Sequence, residues 1–560
     1  MDEKTKMKFN VLAIISILIF CFALTPKTLQ NDTYYTIKIG EYIVENGIDM
    51  QDSFSWHEDL PYTYPHWAYD VAIYEIYNLG EITGIGGFTA IYISTVILAM
   101  ILGVLLYVVC KKLCKNQLIA FLVTFAVLYL LEGFIAARAQ LVTYILFVLQ
   151  ILFIENFLET KKKRYAVGLI ILPIIIANVH VAVWPFYFVI FLPYVVEYLI
   201  AVITDSDFIY RIRIKWNKHK VKKLSLKEEN EVKVAELTLK VDTLQKNMEN
   251  AKIKRDARRE NPYKIKLQKE SAGKWLIVIM IICVFTGLLT PLGDTPYTYL
   301  VKTMQGNTMD NISEHLPLTL INNKSILVTF VLFLAILIFT DTKIRLRDFF
   351  MLAGLTLLCF MSRRQISMFV LICGFIFAKL IVALFDKYDK DGCKNMIINM
   401  TNILGKILTV LVVILVSFYC YRDKIGDEYV SSGTYPVEAC DYILENLDVE
   451  NIRIYNEYNY GSYMLYRGIP VFIDSRADLY TPEFNGTKNE DGEYEGRDIF
   501  TDYINISNIS TYYETKFEEY DITHVIVKKN AKLNMLLTRD DNYTELYSDD
   551  YFVIYERNVD

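Results

Sequence analysis

Asn31-Asp32-Thr33-Tyr34-Tyr35, running on through Ser53-Phe54-Ser55-Trp56, is the stretch from which the rest of the chain is read. It follows directly on the first apolar run and so places a carboxylate at the mouth of a membrane helix. Beyond it, Tyr35, Ile39, Tyr42 and Ile43 share one helical stripe while Lys38, Glu41 and Glu45 lie elsewhere. Residues 34–47 therefore predict an amphipathic helix lying at the membrane interface and ended by Gly47. A second short helix is expected over residues 67–80, after a loop that carries His57-Glu58-Asp59 and Pro65. Asp32 has two readings at this stage. It can cap the helix that follows, or serve as a general base that takes a proton from an acceptor hydroxyl, and the two are compatible.

Working outward, the chain is 560 residues long and 53% apolar, with a mean hydropathy of +0.27. Its apolar residues fall in blocks of spanning or near-spanning length at 8–26, 87–110, 117–137, 141–159, 165–183, 184–205, 274–291, 326–341, 348–362, 364–386 and 405–421. This excludes a soluble multidomain protein and predicts a polytopic membrane protein with about eleven spans. Lys4, Lys6 and Lys8 precede the first block, which reads as an uncleaved first span rather than a signal peptide. With the N-terminus cytoplasmic, the inner loops are 111–115, 161–164, 206–273, 343–347 and 387–394, all of them basic. The outer segments are then 27–86, 138–140, 180–184, 292–325, 363–364 and everything after 422. The nine cysteines show no spacing typical of a metal site or a disulfide framework and read as small buried hydrophobes.

Four regions follow: an N-terminal membrane half, 1–205, with the first outer loop 27–86; a basic helical cytoplasmic insertion, 206–273; a second membrane half, 274–421; and a soluble extracytoplasmic domain, 422–560. In the insertion, Val234, Leu237, Val241, Leu244, Met248 and Ala251 recur at helical spacing. That pattern predicts an intramolecular helical hairpin, and its cations suit anionic headgroups. In the last region, strands are expected at Ile452–Tyr455, Pro470–Asp474, Thr523–Lys528 and Tyr551–Tyr555, alternating with helices, which implies a small α/β sheet. Residues 481–497 read as an exposed loop or lid.

The same topology gathers the polar chemistry on the outer face. Arg138 and Gln140 sit between two spans, and Arg363 and Arg364 sit between a later pair. Their guanidinium forks suit a phosphate, with snorkelling to headgroups as the plainer alternative. Asn178 and His180 end another span, while Asp294, Glu314 and His315 occupy the longest later outer loop, and His57 and His66 lie in the first. Histidines and carboxylates from separate loops could bind a divalent cation such as Mg2+ or Mn2+, although no H-x-x-x-H or D-x-D spacing supports one. Asp474, Arg476 and Asp478 follow a predicted strand, where α/β sheets tend to place ligands, or form a structural ion pair. Tyr458, Tyr460, Tyr463 and Tyr466 suit either stacking on sugar rings or a half-buried helix face.

These residues taken in order resemble the GT-C superfamily of polytopic glycosyltransferases, in a bacterial branch. The resemblance rests on Asn31–Tyr35 running into Gly40-Glu41-Tyr42-Ile43 and Asp52–Trp56, then on Arg138-Ala139-Gln140, Asn178-Val179-His180, Pro291-Leu292-Gly293 with Glu314-His315, and Arg363-Arg364. It ends on Tyr460-Gly461-Ser462-Tyr463 and Phe472–Asp478. It covers nearly the whole chain, and the order of the motifs carries it.

The resemblance implies transfer of a sugar, with inversion, from a polyprenyl-phosphate donor to an envelope glycan, lipid or protein acceptor on the outer face of the plasma membrane, with membrane lipids as partners and no nucleic acid. Asp32 would be the base, Arg138, Arg363 and Arg364 the phosphate holders, and Glu314 and His315 the groups that orient the acceptor. The chain departs from the many members that carry paired acids or D-x-D in the first outer loop, since Asn31 precedes Asp32. Two other classes remain open: a transporter or flippase of lipid-linked saccharides, and a non-catalytic envelope protein that binds glycan. Against the first, Glu132, Glu197 and Lys379 lie towards span ends and no internal repeat is visible.

Overall fold

The apolar blocks fold as helices, as their length and composition require in a solvent that cannot hydrogen-bond the backbone. A computed structural model describes residues 2–205, 207–225 and 231–558, and every one of the predicted apolar blocks lies on a helix. Six helical runs among the described residues are long and apolar enough to cross a membrane: Glu3–Leu24, Gly87–Cys114, Ala139–Thr160, the run starting at Val181, Arg363–Tyr388 and Ile403–Lys424. The remaining blocks form shorter helices, among them Gln117–Leu130, Lys163–Val179, Gly273–Phe285, Lys324–Phe339 and Leu346–Met361. Apolar side chains such as Leu404, Ile407, Leu411 and Leu415 stay exposed on the outside of the bundle, where lipid would solvate them. Beyond Asp205 the helices Phe208–Leu224 and Glu231–Glu260 pack on each other as a hairpin.

The first loop differs from its sequence reading in a way that matters for Asp32. Its helix begins at Asn31, with Gln30 in the capping position, so Asp32 lies inside the first turn and caps nothing. The helix Asn31–Asn46 is packed between other elements of the protein rather than presenting one free apolar face. Tyr34, Tyr35, Ile37 and Ile39 are buried on it, and it packs between Trp67–Thr83 and Tyr458–Tyr466. Gly47 ends it with φ 84°, a conformation that favours glycine.

In the C-terminal region four strands form one sheet in the order Ile454–Tyr455, His524–Lys528, Phe552–Arg557, Tyr543–Ser548. The first pair is parallel and the other two pairs are antiparallel. The expected strand Pro470–Asp474 is not in the sheet, because its backbone groups are taken elsewhere. Asn456 accepts from the Phe472 amide at 2.8 Å and donates to the Ile473 carbonyl at 2.6 Å, while Val471 bridges to Ser55 of the first loop. The edge strand Tyr543–Ser548 was not expected. It is largely exposed and polar, so no apolar run marks it. Residues 481–497 fold as a short helix, Pro482–Asn485, and a two-residue hairpin, Thr487–Lys488 with Tyr494–Glu495.

Two hydrophobic cores result. One joins the apolar helices. The other is shared by the first loop and the C-terminal region, which are further tied by Trp56 donating to the Ile454 carbonyl at 3.0 Å and Leu29 donating to that of Tyr429 at 2.9 Å.

Candidate functional site

A cavity of about 580 Å³ lies where the helix ends meet the first loop and the C-terminal region. Asp32 enters it from the first turn of its helix. Arg138 enters from the position just before the helix Ala139–Thr160, and the preceding Ala137 is fastened by its carbonyl, which accepts from Thr33 Oγ1 at 3.2 Å. These anchors bring Arg138 Nη2 to 2.5 Å from Asp32 Oδ2 and Arg138 Nη1 to 3.4 Å from Glu314 Oε1. The Glu314 segment is positioned by backbone pairing. The amide of Arg364 donates to the Glu314 carbonyl at 2.9 Å and that of Arg363 to Leu316 at 3.0 Å. Arg364 Nη1 then stands 3.4 Å from His315 Nε2.

Charge and burial set the protonation of this cluster. Burial alone would raise the Glu314 carboxyl, but Arg138 and Arg364 hold it below its ordinary value. Burial also works against the Arg138 charge, and Asp32 and Glu314 more than restore it. His66 is pushed down to about 3 by burial and by Arg364 and Arg138, and His315 to about 4 by burial and Arg364. His180 is lowered in the same way and stacks edge-on with His66 at 5.0 Å. The imidazoles are therefore neutral hydrogen-bonding groups near pH 7, and the formal charge of the mouth belongs to two guanidiniums facing two carboxylates. Burial raises the Asp478 carboxyl, to which Tyr299 donates at 2.5 Å.

Of the residues singled out in the sequence, the cavity is lined by Asp32, His66, Arg138 and Gln140, and further by His180, Glu314, His315 and Arg364, with Arg476 and Asp478 at the C-terminal wall. Others lie outside it. The ring of His57 stacks on Trp56, and its Nε2 donates to the Phe472 carbonyl at 2.8 Å. Asn178 accepts from Trp67 and donates to Leu289. Asp294 precedes the helix Thr295–Gln305, and Arg363, unlike its neighbour Arg364, does not line the cavity. Asp474 is buried under Arg476, which it binds at 2.6 Å, and Arg476 reaches Asp52 of the first loop at 2.6 Å.

Sequence reasoning missed Asn31, Tyr35, Tyr62, Tyr69 and Tyr299 as lining residues. The four tyrosines share a signal, an excess of tyrosine in the first loop and around residue 299, visible in the sequence but without a periodic pattern. Asn31 donates to the Tyr458 carbonyl at 3.0 Å, and its buried Oδ1 has no protein partner. Of the four tyrosines at 458–466, Tyr458 alone lines the cavity. Tyr460 and Tyr463 are buried in the core of the C-terminal region, as a half-buried helix face requires.

No protein-family model and no curated protein matches the chain. Solved structures do. Archaeal oligosaccharyltransferase AglB from Archaeoglobus fulgidus, in complex with an inhibitory peptide and a dolichol-phosphate, matches with a TM-score of 0.53 at 13% identity over 98% of this chain and 74% of that one. The same organism's oligosaccharyltransferase in the apo form matches with 0.52 at 12% identity, over 93% and 69%. The form tethered to an acceptor peptide containing the NVT sequon matches with 0.52 at 12% identity, over 99% and 75%. At such identity the likeness is one of fold alone: the chain shares the overall architecture of the archaeal oligosaccharyltransferase.

Proposed function

We propose that this chain is an integral-membrane glycosyltransferase that moves a sugar from a polyprenyl-phosphate donor to an envelope glycan, lipid or protein acceptor on the extracytoplasmic face. The observation that carries the reading is the convergence of Asp32, Arg138, Glu314 and Arg364 on one cavity at the helix ends, in a fold shared with an oligosaccharyltransferase solved with a dolichol-phosphate. The orientation rests on the basic loops assigned to the cytoplasm.

In this reading the acceptor nucleophile attacks the anomeric carbon from the face opposite the phosphate, and Asp32 takes its proton as the new bond forms. The bond from the anomeric carbon to the phosphate oxygen breaks with inversion. The charge left on the phosphate is met by Arg138 and Arg364, whose guanidinium forks match its oxygens. The neutral imidazoles of His66, His180 and His315, the Gln140 amide and the free Asn31 Oδ1 offer donors and acceptors to sugar hydroxyls without adding charge. Glu314 and His315 orient the acceptor. Asp474, Asn178 and His57 support the walls from outside the cavity.

The test is Asp32→Asn in the purified full chain, assayed with a polyprenyl-phosphate sugar pool taken from cells that make it. Transfer should fall by roughly 10²–10⁴ while the melting temperature stays that of the wild type. A fully active variant removes Asp32 as the base. Deleting the gene and finding which lipid-linked saccharide or envelope polymer lacks a sugar identifies donor and acceptor.

A further inference from the structure

A divalent cation does not fit the side chains of this cavity. Asp32 and Glu314 are the carboxylates at its mouth, and both are already engaged by the guanidinium of Arg138, at 2.5 and 3.4 Å. Of the remaining groups, Asp478 is held by Tyr299 at 2.5 Å, His315 Nε2 faces Arg364 at 3.4 Å and His180 Nδ1 faces Thr143 at 3.1 Å, which leaves only neutral nitrogens, His180 Nε2 and His315 Nδ1, without a partner among them. Among the described residues no group of three or more His, Cys, Asp or Glu could hold a metal ion.

We propose that Arg138 is the built-in cation of this site: its guanidinium spans Asp32 and Glu314, denies both carboxylates to Mg2+ or Mn2+, and makes the transfer independent of a divalent metal. A dication brought to either carboxylate would stand within a few ångströms of a fixed positive charge in a partly desolvated cavity, where like charges repel far more than in water. The guanidinium cannot escape by deprotonation, because arginine keeps its proton in proteins, and here the two carboxylates hold that charge still more firmly. The fork is placed by the backbone. Arg138 stands at the start of a long apolar helix, and its amide donates to the Ala136 carbonyl at 2.8 Å. Unlike an exchangeable metal, this cation arrives with the fold. Its part in transfer rests on the function proposed above, whereas its hold on the two carboxylates does not.

Mn2+ binding, followed by electron paramagnetic resonance of the purified full chain in detergent, tests the occupancy without any assay of transfer. The wild type should leave the signal of free millimolar Mn2+ unchanged. Arg138→Ala should take up one Mn2+ per chain, and the further change Asp32→Asn should abolish that uptake. Arg138→Lys, which keeps a cation in place, should behave as the wild type. A wild-type chain that binds Mn2+ and loses it on Asp32→Asn overturns the inference, and so does an Arg138→Ala chain that melts cooperatively and binds none. Once a donor is identified, the EDTA-treated wild type should keep its rate within about twofold, since no group needed for the reaction is removed. A rate lost to EDTA and restored by Mn2+ would also overturn the inference, while leaving the glycosyltransferase reading intact.

Discussion

Adjacent residues of the same type can have opposite fates here, and Arg363 and Arg364 show it. The tight turn Arg363–Gln365 places Arg364 in the cavity and leaves Arg363 outside it. Arg364→Ala should therefore lower kcat/KM for the proposed lipid-phosphate donor by roughly 10–100-fold, the worth of a charge-assisted hydrogen bond, and Arg363→Ala should leave it near the wild-type value. Equal losses would show that both arginines act through the membrane surface rather than through the cavity. His57 makes a second case, one of stability. Burial drives its pKa down to about 4, although its bond to the Phe472 carbonyl pulls the other way. Unfolded, it titrates near its ordinary value of about 6.5. Between the two values the unfolded chain binds the extra proton, so stability is retained above about pH 6.5 and lost as pH falls toward about 4. The loss from this residue is about 3 kcal/mol, and His66 and His315, lowered to about 3 and about 4, act in the same direction. The melting temperature should fall over this window, and His57→Gln should flatten part of the fall. A wild-type melting temperature that does not change over the window would show that these imidazoles are hydrated.

At the scale of elements, the helix Asn31–Asn46 carries Asp32, and its distance from Trp67–Thr83 is fixed by Gly40. A methyl group on Gly40 would stand 2.2 Å from the backbone oxygen of Asp70 and 2.7 Å from Tyr74 Cβ. Gly40→Ala, which on an isolated helix would stabilise, should here cost about 1–3 kcal/mol of overpacking and shift Asp32 away from Arg138. Thermal melting reads the cost, and an unchanged or raised melting temperature refutes the close approach. The sequence reading of the elements succeeded where burial is set by composition alone. Each apolar block became a helix because length and hydropathy suffice to specify one. It failed where a strand's identity depends on who satisfies its backbone. Pro470–Asp474 has the composition of a buried strand, but Asn456, Phe54 and Trp56 take its amides and carbonyls. Tyr543–Ser548 lacks that composition and is a strand because Phe552–Arg557 offers it an edge.

In the whole molecule, the alternation of basic and non-basic loops predicts that the polar residues share one face, and Asp32, Arg138, Glu314 and Arg364 among them line one cavity. That Asp32 would meet Arg138 and Glu314, and that His57 would not join them, depends on how the first loop docks on the C-terminal region, a contact between segments some four hundred residues apart. A fully buried fastening of that contact is Arg476, whose guanidinium binds Asp474 and Asp52 with side-chain exposures of 2%, 0% and 0%. Tyr480 donates to the same Asp474 at 2.6 Å, and Asp52 also holds Ser55. Removing one member of such a buried set leaves uncompensated charge, so Arg476→Ala should cost about 3–5 kcal/mol. Adding Asp52→Asn and Asp474→Asn to it should recover part of that loss, since the stranded carboxylates are then gone. Because the triad joins two regions, the damage should appear in both. Hydrogen exchange in Arg476→Ala should accelerate over residues 28–66 as well as 454–480, and the wall of the cavity that holds Asp32 should loosen with them. Faster exchange confined to 474–480 would mean that the first loop keeps its place without the triad, and that Asp32 is positioned by the membrane helices alone.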